Sequence, residues 1–185
     1  LTLAMVFTFL PFSAFAAGGT HAHSTIELSK QNFPDETFRE YLKKFDKNGD
    51  KKLHPAERNA VKQIVVWNMG IRNLKGIEFF PNLKHLRCNG NQLTSLDVSK
   101  NTALKMLACA KNQLTKLNVR QNAALQELYC YENQLTSLDV SKNTELVSLA
   151  CNGNRLTSLD VSQNAKLVNL YCYSNQLTEL DVRQN

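Results

Sequence analysis

The stretch whose residue types and spacing most clearly invite chemistry is Asp46 to Glu57, reading DKNGDKKLHPAE. Asp46, Asn48 and Asp50 place side-chain oxygens at its first, third and fifth positions. Leu53 is apolar at the eighth, and Glu57 puts a carboxylate at the twelfth. A hard cation such as Ca²⁺ asks for this spacing, because one turn must aim several oxygens inward while a bidentate carboxylate closes the site. Lys52, at the seventh position, would contribute its main-chain carbonyl. The sixth position, where a sharp turn favours glycine, is Lys51, a cost of about 1 kcal/mol if the backbone goes left-handed. Lys47, Lys51 and Lys52 offset the acidic charge, and no second loop of this kind is present to pair with it. The expectation is a weak Ca²⁺ site held by Asp46, Asn48, Asp50, Lys52 and Glu57, of the strength an extracellular module needs. A metal-free helical pair is the competing reading.

Cysteine chemistry is the next possibility. Cys88, Cys109, Cys130, Cys151 and Cys172 are spaced 21 residues apart, and five is an odd number. A metal-binding Cys-x-x-Cys cluster is absent. Same-phase residues on adjacent rungs lie ~4.8 Å apart with parallel Cβ vectors, whereas a disulfide needs its Cβ atoms at roughly 3.5–4.5 Å. Buried free thiols filling small apolar slots are therefore expected. His21 and His23 sit in a short polar stretch, GGTHAHS, where two histidines seldom amount to a site. No Ser/His/Asp set, carboxylate pair or phosphate loop can be placed, so no enzymatic activity is expected.

Those cysteines belong to a larger pattern. The stretch Leu83 to Val98, LKHLRCNGNQLTSLDV, returns at Leu104, Leu125, Leu146 and Leu167, always 21 residues later. Asn91, Asn112, Asn133, Asn154 and Asn175 keep the same phase. A fixed period of this size marks a stacked solenoid, and its spacing fits the leucine-rich-repeat signature. Within a unit, Leu86 and Cys88 alternate with His85, Arg87 and Asn89, the period of a strand with one buried face. A single coil cannot bury enough apolar surface to offset the ordering of its backbone, so each needs neighbours. The asparagines are read as structural, their amides serving backbone groups where the chain leaves the strand.

The chain then divides as follows. Residues 1–16 read as a secretory signal peptide, an apolar run ending in Ala14-Phe15-Ala16. The expected basic segment and initiator Met are missing, which suggests clipping. Residues 17–25 are a linker expected to be disordered. Residues 26–60 form a small helical cap, including a helix over Asn32 to Phe45 with Pro34, Asp35 and Glu36 at its start. Residues 61–185 are the repeat domain: an irregular first coil over 61–82, in which Val66 and Met69 take the cysteine and asparagine places, then five coils from Leu83. No polar capping unit precedes Asn185, so continuation of the natural protein is expected.

Units such as LVSLACNGNRLTSLDVSQNAK resemble the 21-residue, cysteine-bearing repeats of the internalin family of bacterial surface proteins. The resemblance implies an α/β-type repeat solenoid: a right-handed horseshoe with a parallel β-sheet on its concave face, used for adhesion or recognition. The region from Ile26 to Leu83 is similar to the N-terminal part of secreted repeat proteins of gut and oral bacteria, where a degenerate calcium-loop helix pair leads into the first coil. Lys51 departs from that pattern.

The net charge is +6, and it is uneven. Lys30 to Arg87 holds 13 basic and 7 acidic residues, whereas Cys88 onward holds 9 and 8. The basic end would favour an anionic surface or glycan, though solvated helix faces explain it too. No nucleic-acid motif appears. The outward strand positions carry any specificity: Trp67, His85, Arg87, Met106, Glu127, Tyr129, Tyr131, Asn152, Asn169, Tyr171 and Tyr173. The tyrosine pairs, two rungs apart, would flank a notch at Ala150 and Asn152, and rigid amphipathic rings anchor protein or sugar ligands well. The expectation is a secreted or surface-attached monomer, without a transmembrane segment in this stretch, binding a protein or glycan on a host or neighbouring cell. A passive spacer and a targeting module for a further domain are the alternatives.

Overall fold

The computed structural model describes residues 24–185, so the proposed signal peptide and most of the proposed linker lie outside the described residues. Six three-residue strands build a parallel sheet in chain order: β3 (Gln63–Val65), β4 (His85–Arg87), β5 (Met106–Ala108), β6 (Glu127–Tyr129), β7 (Ser148–Ala150) and β8 (Asn169–Tyr171). The register is uniform. Ile64, Leu86, Leu107, Leu128, Leu149 and Leu170 face one another in one inward file. One repeat therefore equals one rung, and identical phase in sequence becomes identical position in space. The expected solenoid is present.

The core is a set of such files. Leu83, Leu86, Leu93 and Val98 are buried in the first regular coil, and their counterparts follow through Leu146, Leu149, Leu156 and Val161. Cys88, Cys109, Cys130 and Cys151 are buried free thiols, with Cys172 half-buried. Burial pushes the Cys88 and Cys151 thiols up to about 12 and raises Cys109 and Cys130 as well, so all stay protonated near neutrality.

The asparagines close the coil where the strand ends. Asn133 Nδ2 donates to the carbonyls of Cys109 (3.1 Å) and Cys130 (3.0 Å), while its Oδ1 accepts from Leu114 N at 3.0 Å. Asn91, Asn112, Asn154 and Asn175 repeat the arrangement. Each amide thus ties two neighbouring coils. A second ladder, which the sequence reading overlooked, runs along the opposite side. Asn122 Nδ2 donates to Val98 O (3.0 Å) and Asn101 O (2.9 Å), and Asn143 and Asn164 do the same in the next two coils. The signal was there to find: Asn101, Asn122, Asn143, Asn164 and Asn185 also recur every 21 residues.

The chain leaves each strand through a left-handed residue at a fixed phase. Asn68, Gly90, Lys111, Glu132, Gly153 and Ser174 have φ between 51° and 66°. Gly90 has no room for a side chain, because a Cβ there would sit 1.8 Å from Asn68 Oδ1. Lys111 and Glu132 accept the steric cost and lie 3.7 Å apart across the rungs.

The cap covers the free edge of β3. Helix α1 (Glu36–Leu42) is N-capped by Asp35, whose Oδ1 accepts from Phe38 N at 3.0 Å, and a 3₁₀ turn over Lys43–Phe45 extends it. The other oxygen of Asp35 accepts from Arg72 N at 2.8 Å, gripping the first coil. Tyr41 Oη accepts from Val65 N at 2.7 Å, so an edge-strand donor is satisfied by the cap. Helix α2 (Pro55–Ala60) brings in Arg58, whose buried guanidinium donates to Phe79 O at 2.9 Å. Phe33 meets Phe38 and Phe79 edge-on, packed so closely on Gly76 that a Cβ there would lie 2.1 Å from its ring.

Replacing one ladder amide should be costly in proportion to the groups it leaves buried. Asn133→Ala is expected to lower stability by about 1–3 kcal/mol, read as a fall in the urea midpoint. An unchanged midpoint would show that the amide does not tie the coils.

Candidate functional site

Because the register is uniform, the outward side chains form straight rows. One row reads Gln63, His85, Met106, Glu127, Ser148, Asn169, and the next Val65, Arg87, Ala108, Tyr129, Ala150, Tyr171. A third follows from the same phase: Trp67, Asn89, Ala110, Tyr131, Asn152, Tyr173. Parallel-strand spacing of ~4.8 Å sets the distance between successive members.

Side-chain size along these rows makes relief. The β5 coil carries Ala108 and Ala110, both buried because taller neighbours rise on either side. The result is a hollow of about 560 Å³ lined by Val65, Trp67, Arg87, Asn89, Met106, Ala108, Glu127, Tyr129 and Tyr131. Trp67 is 62% exposed at one end. At the other, Tyr129 Oη donates to Glu127 Oε2 at 2.8 Å; burial first, and then that carboxylate, raise the Tyr129 hydroxyl above its ordinary value. Asn89 Oδ1 accepts from Ala110 N at 3.1 Å, which fixes its amide.

Of the residues expected on this face, Trp67, Arg87, Met106, Glu127, Tyr129 and Tyr131 come together in the hollow. His85 flanks it on the Met106 row. Tyr171 and Tyr173 are exposed two rungs beyond Tyr129 and Tyr131, with Asn169 beside them. Ala150 and Asn152, where a notch is expected between the tyrosine pairs, are both buried. The hollow at Ala108 lies two rungs nearer the cap.

The loop from Asp46 to Glu57 runs through bends from the 3₁₀ turn into helix α2. Lys51 takes φ 61°, the left-handed turn expected of that position, and its N–H donates to Asp46 Oδ2 at 2.8 Å. Gly49 N donates to the other oxygen of Asp46 at 2.8 Å, and Asp50 N to Asn48 Oδ1 at 3.2 Å. Glu57 reaches back across the loop, accepting from Lys47 N at 2.6 Å and from His54 N at 2.8 Å. The partner that a second loop would supply is strand β1 (Ile26–Glu27), paired antiparallel with β2 (Lys52–Leu53) so that Ile26 faces Leu53. Among the described residues, no three His, Cys, Asp or Glu side chains form a preassembled metal cluster.

A chain of polar groups that sequence spacing could not reveal joins β1 to this loop. Thr25 Oγ1 lies 3.2 Å from His54 Nδ1, and His54 Nε2 lies 2.8 Å from Asp50 Oδ2. The groups are exposed on the surface, with the hydroxyl on Nδ1, and the arrangement fastens the strand to the loop. The neighbouring imidazole leads the influences that hold the Asp50 carboxyl below its ordinary value.

No protein-family model matches the chain, nor does any curated protein. Solved structures do. The functional domain of internalin J from Listeria monocytogenes, described as including a cysteine ladder, is 30% identical over 88% of this chain and 46% of its own, with a TM-score of 0.63. Internalin F from the same organism gives 25% identity over 87% of this chain and 49% of its own, with a TM-score of 0.77. The chain has a leucine-rich-repeat fold similar to that of these internalins. A leucine-rich-repeat protein of Leptospira interrogans is 28% identical over 60% of this chain and 30% of its own, at a TM-score of 0.56. This internalin-like chain thus spans about half the length of the two Listeria structures. Among its described residues, no helix is long and apolar enough to cross a membrane.

The left-handed Lys51 yields a direct test of loop strain. Lys51→Gly should raise the stability of this internalin-like fold by about 1 kcal/mol, measured by urea unfolding. A loss of stability instead would mean that the side chain contributes contacts outweighing the backbone cost.

Proposed function

We propose that this chain is a secreted or cell-surface binding module that recognises a protein or glycan partner through the concave face of its repeats. The observation that carries the reading is the gathering of Trp67, Arg87, Met106, Tyr129 and Tyr131 around one hollow on a rigid sheet. Rigid aromatic rings beside a guanidinium supply large contact area at little entropic cost. Parallel strands pinned by internal ladders hold those groups in place before a partner arrives, which reduces the ordering cost of binding. Asn169, Tyr171 and Tyr173 extend the surface along the same rows, and His85 and Asn152 border it. The chain acts as a monomer in this reading, with no enzymatic step.

Replacing Tyr129, Tyr131, Tyr171 and Tyr173 together by Ser is expected to reduce binding to host cells and to glycan arrays at least tenfold, with the melting curve retained. Undiminished binding by the folded variant would remove the basis of the concave-face reading.

A second role is favoured by the conformation of the N-terminal loop, where Lys51 adopts the left-handed turn that a calcium loop demands. Asp46, Asn48, Asp50 and Glu57 would hold Ca²⁺ with side-chain oxygens and Lys52 with its carbonyl. The ion would supply charge neutralisation that tightens the cap on the first coil. Calorimetry with millimolar Ca²⁺ should give heat of binding that vanishes in Asp46→Ala. Identical silence from both proteins would exclude the role.

A further inference from the structure

We infer that the hollow between Trp67 and Tyr131 takes a sugar ring bearing a carboxylate, a proposal that rests on the concave-face reading and gives it a ligand class. Three observations converge. The Arg87 guanidinium lines the hollow and feels the Tyr129 hydroxyl beside it, but makes no salt bridge to Glu127, which lines the same space. Arg87 and Glu127 lie two rungs apart, ~10 Å at parallel-strand spacing, and Glu127 is already engaged by the Tyr129 hydroxyl. A guanidinium on a partly apolar surface is well matched to a carboxylate, which it can grip with two parallel N–H bonds.

The second observation is the shape of the walls. Aromatic rings line the hollow at both ends, Trp67 at one and Tyr129 and Tyr131 at the other, with Ala108 between them; the flat faces of such rings are apolar. Such faces receive the C–H side of a pyranose, and the alanine floor leaves the depth that a ring needs. The third is the polar rim. Asn89 has its oxygen occupied by Ala110 N, which leaves Nδ2 to donate, while the second oxygen of Glu127 is left to accept. Sugar hydroxyls supply both partners. The order along the rungs, donor-rich Arg87 and Asn89 before acceptor Glu127, also gives the ligand a direction: acidic ring toward the cap, neutral hydroxyls toward β6.

A peptide is the competing occupant, and the backbone argues against it here. The strands of this face spend their N–H and C=O groups on one another, and the free edge at Val65 is met by Tyr41. Strand addition to the hollow is therefore closed to a peptide, which would have to bind by side chains alone.

Two sources of the chemistry can be told apart directly. Residues 24–185 would be titrated calorimetrically with 3′-sialyllactose against lactose, and with trigalacturonate against its methyl ester. Binding of at least one acidic probe tenfold or more above its neutral counterpart is expected, and the responding pair names the source. Arg87→Gln should erase that preference. Ala108→Leu, which fills the floor, should weaken binding at least tenfold at an unchanged melting temperature. Equal affinity for the neutral sugars, an Arg87→Gln variant that keeps the acid preference, or no binding of either acid overturns the proposal. If the acids fail while the four-tyrosine variant still loses cell binding, the ligand class alone is wrong and a side-chain-bound protein takes its place. If that variant also binds cells normally, the concave-face reading falls with it.

Discussion

The fold depends on satisfying backbone groups that a coil cannot satisfy for itself. Three-residue strands give few ladder bonds, and every coil must then turn away with carbonyls and amides heading into an apolar interior. Asn133 shows the solution: one amide takes two carbonyls from two coils and returns an acceptor to Leu114. Burying such groups without partners would cost more than a leucine file returns. The second ladder solves the same problem incompletely. Asn101, Asn122, Asn143 and Asn164 donate twice each, yet their buried Oδ1 atoms find no partner. An amide is tolerated there because both of its N–H donors are used, by two main-chain carbonyls of the preceding coil.

That constraint separates structure from recognition. Inward positions are fixed by phase: leucine, thiol and amide must recur, and any slip would move every following side chain to the wrong face. Outward positions answer to no such rule. They run from Trp67 through Arg87 and Ala108 to Tyr129 without disturbing the files behind them. The hollow therefore costs the core nothing. Its depth comes from the small side chain at Ala108, and its walls from Arg87 and Tyr129 one rung either side, with Trp67 two rungs away toward the cap.

Periodic features were legible in the sequence, and features of contact were not. The solenoid, the inward cysteines and the role of Asn91 and its counterparts all follow from period and alternation alone. The second asparagine ladder was equally periodic, but Asn in Ser-Lys-Asn or Arg-Gln-Asn reads as an ordinary turn residue, and its burial is a property of the stack. The left-handed exits were harder still. Only Gly90 and Gly153 advertise the conformation, while Lys111, Glu132 and Ser174 adopt it because their neighbours do. The notch expected at Ala150 and the hollow found at Ala108 differ for a related reason. Tyrosines draw the eye in a sequence, whereas a hollow is defined by its smallest residues and by Trp67, which belongs to an irregular coil.

The cap shows how the same accounting reaches the end of the stack. A first coil has no preceding coil to receive its edge donors, so something non-repetitive must imitate one. Tyr41 supplies an acceptor to Val65, Asp35 supplies one to Arg72, and Arg58 donates to Phe79 from within the cap. The calcium-like loop sits behind these contacts, its Leu53 paired with Ile26 and its Glu57 anchoring α2. Its helices would therefore be retained whether or not a cation ever entered, because they terminate the sheet. The outward rows of the sheet begin directly after this cover, with Gln63, Val65 and Trp67 in the first coil.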